Sequence, residues 1–275
     1  MKRSLRATLA QETVVICDAG HYLAPSGARV QINDVLKRAM RETEVVSPRA
    51  THRDPATATK VATKLTVTGE TTVAALRRLD AQPGGHLACL NFASAKNPGG
   101  GFLNGSEAQE ESLARASALY PCLLAAPDYY ERNRAGESSL YLDLAIWSPD
   151  VPFFRDDTGA LLESPHLASV ITAPAPNAGA VAHNEPAEMD KVLPTLQRRA
   201  EFVLAIAAER GVRRLVLGAW GCGVFRNDPR TVAETFAALF RDDGKFAGAF
   251  DEVVFAIHDR TEGQEVLRAF ENTFS

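Results

Sequence analysis

From about Lys64 to the C-terminus, short apolar runs alternate with stretches whose apolar residues recur every three or four positions. The runs KLTVT (64–68), HLACLNF (86–92), ASVITA (168–173), RLVLG (214–218) and VVFAI (253–257) have the length and composition of strands. HLACLNF is continuously apolar, as in a strand covered on both faces. DLAIW (143–147) and VPFF (151–154) read as strands in a less regular insertion, and a helix is predicted around 128–134. One amphipathic helix buries Val73, Leu76 and Leu79. A long one, capped by Asp190, buries Val192, Leu196, Val203 and Ala207. A third opens on Asp228 with Pro229 in its first turn and buries Val232, Phe236 and Leu239. The last carries Val266, Leu267 and Phe270. This alternation predicts an α/β fold whose sheet is largely parallel at its centre.

Before Lys64 the pattern differs. Residues 4–16 read as a helix with Leu5, Leu9 and Ile16 on one face. HYLA and RVQI flank Ala24-Pro25-Ser26-Gly27, a type I turn, and predict a short hairpin. Asn33 or Asp34 is expected to cap a helix to about Arg41, and 47–60, rich in Pro, Thr and charge, reads as a loop or linker.

Composition narrows the picture. At 275 residues the chain can bury a large core, and no apolar run reaches the roughly 18–20 residues of a membrane-spanning helix. The N-terminus is basic but lacks a continuous apolar segment, so no signal peptide is expected. Cys17, Cys89, Cys122 and Cys222 are scattered without CxxC spacing, which argues against a zinc site or disulfide framework and for a reducing cytoplasm. The net charge of −4 hides an asymmetry: residues 1–64 carry eleven Lys or Arg against six Asp or Glu, so this part stands at +5 and the rest at −9. This is either a solvated basic surface or a face turned to a polyanion. A duplex-DNA binder would be more basic. The six histidines lack ligand spacing, so no metal and no cofactor is expected.

In such sheets ligands bind beyond the carboxyl ends of the strands. Four candidate loops fall there: 91–101, 172–177, 218–227 and 258–259. In the first, Gly99, Gly100 and Gly101 can take positive φ and approach a ligand closely. After a short spacer come Gln109, Glu110 and Glu111. One reading makes these acids an acid–base site. The other makes them a capped helix with a solvated face, Ser106 and Gln109 forming a capping box and Glu111 pairing with Arg115 four residues on. The loop GAWGCGVFRNDP (218–229) joins a strand to a capped helix, a junction whose N–H groups suit a phosphate or diphosphate, although glycines often merely make the turn. Phe225 is either core or a flat surface under a ribose or base.

The stretch NPGGGFLNGSEAQEE resembles the signature of poly(ADP-ribose) glycohydrolases, a triple-glycine loop followed by Gln-Glu-Glu, and nearly the whole chain resembles the bacterial type of that family. The resemblance implies a macrodomain-like, three-layer α/β/α fold with a mixed, centrally parallel sheet: an N-terminal helical and hairpin extension (1–62) packed on a catalytic core (63–275). It implies hydrolysis of the ribose–ribose O-glycosidic bonds of poly(ADP-ribose), with poly-ADP-ribosylated proteins as partners, ADP-ribose as product, and no requirement for DNA or a membrane. It implies that Glu111 is the catalytic acid and that Glu110 contacts the terminal ribose. Asn97, Gly99, Gly100, Gly101 and Gln109 would line the substrate site. Gly221, Cys222, Gly223, Val224 and Phe225 would bind the diphosphate, with Phe225 packed on the ligand. A general acid needs a raised pKa, whereas a helix N-terminus lowers it. Burial and the neighbouring Glu110 are expected to outweigh the dipole at Glu111. The alternatives are a non-catalytic ADP-ribose-binding reader, a hydrolase with Cys222 as nucleophile, and a nicotinamide-dinucleotide oxidoreductase, for which the GxGxxG fingerprint is lacking.

Overall fold

In the computed structural model of the chain, which describes residues 1–48, 62–241 and 243–275, helices cover both faces of a mixed sheet. In chain order the elements are α1 (Arg3–Ala19), β1 (His21–Leu23), β2 (Arg29–Gln31), α2 (Asn33–Glu42), β3 (Glu44–Val46), β4 (Lys64–Thr68), α3 (Thr72–Asp80), β5 (Leu87–Phe92), a 3₁₀ turn (Phe102–Asn104), α4 (Gln109–Ala116), α5 (Leu119–Leu124), α6 (Pro127–Ala135), β6 (Ala145–Arg155), β7 (Leu161–Ala173), α7 (Ala178–Asn184), a second 3₁₀ turn (Pro186–Lys191), α8 (Val192–Glu209), β8 (Arg214–Leu217), α9 (Pro229–Phe240), β9 (Glu252–Ala256) and α10 (Glu265–Phe274).

The sheet order is β3-β6-β7-β5-β8-β9-β4. The strands from β7 to β4 are mutually parallel; β6 runs antiparallel to β7, and β3 antiparallel to β6. Alternate side chains of the central strands feed the two layers. Leu87 and Cys89 of β5, Val216 of β8 and Val254 of β9 pack with α2 to α6. Ala88, Leu90, Leu215, Leu217, Val253 and Phe255 pack with α8, α9 and α10. The fold class is therefore the expected three-layer α/β one.

Several local expectations are corrected. DLAIW and VPFF belong to a single strand, β6, whose pairing with β7 shifts register between Ser148 and Val151. Asn33 is the first helical residue of α2, not its cap, and Ile32 precedes it without a side-chain bond. Asp190 lies in the 3₁₀ turn that leads into α8, so it does not cap that helix. Asp228 does cap α9: its carboxylate accepts from Thr231 N–H at 2.8 Å, with Pro229 at the first position. The hairpin forms as expected, with Gly27 N–H donating to Ala24 O at 2.8 Å. Residues 49–60 of the expected linker lie outside the described residues. Among the described residues no helix is long and apolar enough to cross a membrane.

Candidate active site

The parallel strands all end on one rim, and the loops that leave them line one groove of ≈ 1550 Å³. Phe92 to Asn97, Gly100 and Gly101 come from the loop after β5, Ala175 from that after β7, Ala219 to Phe225 from that after β8, and Ile257 to Arg260 from that after β9. The rim convergence expected from the strand pattern is present. Met1, Arg6 and Leu9 of the N-terminal segment add a further wall.

The acids sit at the start of α4, and the capping box does not form. Ala108 occupies the N-cap without a side-chain bond, so Gln109, Glu110 and Glu111 open the first turn. Gln109 turns inward instead. Its Oε1 accepts from Phe92 N–H (2.9 Å), and its Nε2 donates to Leu90 O (2.7 Å) and Thr72 Oγ1 (3.2 Å). The helix start is thereby pinned to the end of β5. The expected pair of Glu111 with Arg115 is also absent from the geometry. Arg115 donates from Nη1 to Ser106 O (2.8 Å) and from Nη2 to Ser112 Oγ (3.2 Å), because α1 covers this face and Thr13 Oγ1 donates to Arg115 O (2.8 Å).

Both acids are buried, Glu110 at 3% exposure and Glu111 at 9%. Glu110 Oε2 accepts from Ser94 N–H (2.7 Å) and Oε1 from Asn91 Nδ2 (3.3 Å), which also donates to Thr172 Oγ1 (3.1 Å). Burial pushes the Glu110 carboxyl up to about 8, against the opposing hydrogen bonds from Ser94 and Asn91. Glu111 Oε1 accepts from Gly101 N–H (2.9 Å), while its Oε2, also buried, has no partner among the described residues.

Gly99 and Gly100 have positive φ, +67° and +59°. A Cβ on Gly100 would collide with Glu111 Oε1 and lie 3.1 Å from Glu110 Oε2. The loop needs glycine there so that backbone can lie against the two carboxylates. Asn97 is exposed on the same loop, with its N–H donating to Ser94 Oγ (3.1 Å) and its carbonyl accepting from Gly100 N–H (3.0 Å).

In the second loop Gly221 has φ +74°, and a Cβ there would lie 2.6 Å from Ala175 Cβ. Gly223 faces open space, and Val224 is 82% exposed. Among the described residues, hydrogen bonds within the loop use the N–H groups of Trp220, Cys222, Arg226 and Asn227 and not those of Gly223, Val224 and Phe225. Asn227 Nδ2 donates to Pro176 O (2.9 Å), tying this loop to the one after β7. Phe225 is half-buried beside Tyr141, with ring centroids 5.8 Å apart. Burial pushes the Cys222 thiol up to about 12, which leaves it without the thiolate a nucleophile requires.

Thr72, Tyr141 and Arg6 also shape the site and escaped the sequence reading, and Asn91 and Ser94 lay in the candidate loop 91–101 without a role of their own. One signal was there: Asn91 is a polar residue inside the apolar run HLACLNF.

A profile described as "Microbial-type PARG, catalytic domain" matches residues 10–156. The chain belongs to the microbial-type poly(ADP-ribose) glycohydrolases. Among solved structures, the poly(ADP-ribose) glycohydrolase of Thermomonospora curvata is 47% identical, covers 98% of this chain and 99% of its own, and superposes with a TM-score of 0.94. The same enzyme bound to the inhibitor ADP-HPD is 48% identical over 98% of this chain and 99% of that one, with a TM-score of 0.92. The Deinococcus radiodurans glycohydrolase in complex with ADP-ribose is 48% identical over 87% of this chain and 97% of that one, with a TM-score of 0.83. No curated protein matches the chain. For a glycohydrolase of this family, the groove, its paired acids and its two glycine loops are the features to interpret chemically.

Proposed function

We propose that this chain hydrolyses the ribose–ribose O-glycosidic bonds of poly(ADP-ribose) and releases ADP-ribose, with Glu111 as general acid and then general base. The observation that carries this reading is the buried Glu111 carboxyl: Gly101 N–H fixes one oxygen, while the other lacks a protein partner beside the groove. A protonated Glu111 donates its proton to the glycosidic oxygen as the bond to the anomeric carbon breaks. The resulting carboxylate takes a proton from the water that attacks that carbon. General acid–base assistance of this kind is worth about 10²–10⁴-fold.

Glu110 is assigned to the terminal ribose, where a neutral carboxyl can donate a hydrogen bond to a hydroxyl. Gly100, Gly101 and Asn97 form the wall on that side, while Gly99 of the same loop is buried behind it. Gln109 serves the site by holding α4 to β5. The N–H groups of Gly223, Val224 and Phe225, on the loop that also contains Gly221 and Cys222, suit the diphosphate, and Phe225 offers a flat face to the adjoining ribose or base. In this reading residues 1–62 are an extension that walls the core of 63–275, and the partners are poly(ADP-ribose) and the proteins that carry it, with no requirement for DNA. Four free thiols fit a reducing cytoplasm.

The test is Glu111→Gln. ADP-ribose binding, measured by calorimetry, should persist, while release of ADP-ribose from polymer, measured by chromatography, should fall by about 10²-fold or more. Parent-like turnover in that variant would remove Glu111 from the mechanism. A parent protein that binds ADP-ribose but releases none from polymer would instead be a reader.

A further inference from the structure

The path from Gly101 N–H to the Glu111 carboxyl runs through a 3₁₀ turn and a connector, residues 105–108, that ends in an uncapped helix start. Something else must hold that connector in register. The structure shows a hub for this at Arg6 of α1. Arg6 Nε donates to Gly105 O (2.8 Å), and its Nη1 donates to Glu107 Oε2 (2.6 Å) and Met1 O (2.5 Å). The other oxygen of Glu107 accepts from Arg260 Nη1 (3.1 Å), and Arg260 Nε donates to His258 Nε2 (2.7 Å) on the loop after β9. One turn earlier on α1, Arg3 Nε donates to Asn104 O (3.0 Å). Gly105 has φ +72°, and a Cβ there would run into the Arg3 carbonyl oxygen, so the α1 backbone lies directly against the connector. Ala10, Phe102 and Ala114 close a small apolar cluster beneath.

We propose that Arg6 is a positioning residue for hydrolysis: through Gly105 and Glu107 it holds the connector between the glycine loop and the acids of α4, and so keeps Gly101 N–H aligned with Glu111. This rests on the assignment of Glu111 made above. The Arg6 side chain is 12% exposed, and its Nε and Nη1 are engaged by Gly105 O, Glu107 Oε2 and Met1 O. A guanidinium suits the task, because its planar fork reaches a carbonyl and a carboxylate at once, whereas an ammonium is a single point charge.

The test compares Arg6→Met, which keeps much of the apolar stem and loses the donors, with Arg6→Lys, Glu107→Ala and Glu111→Gln. For each, kcat and KM on polymer, the calorimetric Kd for ADP-ribose and the Tm are measured. Misplacement of reacting groups by about 1 Å costs up to about 10²-fold, so Arg6→Met should lose about tenfold or more in kcat. Its KM and Kd should stay within about twofold, and Arg6→Lys should recover part of the loss. Glu107→Ala alters a side chain that is 38% exposed and should cost about threefold or more in kcat, with the Tm as its check on folding. Parent-like kcat in Arg6→Met or in Glu107→Ala overturns the hub. So does a loss in Arg6→Met matched by an equal loss of affinity or of folded protein. Full activity in Glu111→Gln would instead strike the reading of Glu111, whatever Arg6 does.

Discussion

Replacing Gly100 by alanine separates backbone strain from damage to the acids. Gly100 sits at φ +59°, where an L-residue carries a penalty of about 1–2 kcal/mol. Its new Cβ would also collide with Glu111 Oε1 and approach Glu111 Cδ to 3.1 Å. Either the loop retreats or the Glu111 carboxylate leaves Gly101 N–H. Gly211, which follows α8, is the reference: its φ is +69° and a Cβ there meets nothing within 4 Å. Gly211→Ala should therefore report the backbone penalty alone, a Tm lower by roughly 2–8 °C, with parent-like kcat. Gly100→Ala should show at least that loss of stability and, in addition, a fall in kcat on polymer of about 10²-fold from misplacement of the reacting carboxyl. Chromatographic rates of ADP-ribose release and thermal melts of both variants check the pair. If Gly100→Ala turned over polymer like Gly211→Ala, the close approach of loop and acid would have no catalytic meaning and the reasoning would fail.

Two other outcomes are expected. The Glu110 carboxyl, raised to about 8 by burial, binds a proton in the folded chain that the unfolded chain has released. The stability it contributes is complete below the unfolded value near 4.3, and is lost as pH rises through about 8, at up to about 1.4 kcal/mol per pH unit. Denaturant melts from pH 5 to 9 should show that slope, and Glu110→Gln should flatten it. Arg199, buried in α8, donates to Asp143 Oδ1 (3.0 Å), Pro174 O (2.8 Å), Leu140 O (3.0 Å) and Tyr141 O (3.3 Å). Arg199→Met should cost about 3–5 kcal/mol in urea unfolding, because it takes the donor from three carbonyls and leaves the partly buried Asp143 only Arg198 as its arginine partner; a loss below 1 kcal/mol would contradict the network.

The sheet's centre was readable because its strands are covered on both sides. β5, β8 and β9 follow from apolar runs, and their carboxyl ends place the loops on one rim. The edges were harder to read. β3 is short, and β7 begins with a half-exposed stretch outside the apolar core run, where Glu163 accepts from Ser26 Oγ (2.7 Å) at the tip of the small hairpin. At the acids, local rules misled. Ser106 and Gln109 have capping-box spacing, and Glu111 and Arg115 have ion-pair spacing, yet tertiary partners took these groups: the end of β5 holds Gln109, and Ser106 O holds Arg115. The glycine–acid signature was legible as a pattern. That Gly100 serves the approach to the carboxylates themselves required the geometry.

The contact of α1 with the connector at Gly105 joins positions about a hundred apart along the chain: the Arg6 bonds span 99 and 101 residues. Contacts of such separation form late, since a large loop must close before they return any stabilisation. The helices form from local bonds, but the sheet also has long loops to close, with Lys64 of β4 paired to Glu252 of β9, and the loop that presents Gly101 to Glu111 gains its neighbours only when the first helix docks. A newly made chain should therefore acquire its bulk secondary structure before it acquires catalytic competence, and refolding followed by circular dichroism should run ahead of refolding followed by ADP-ribose release.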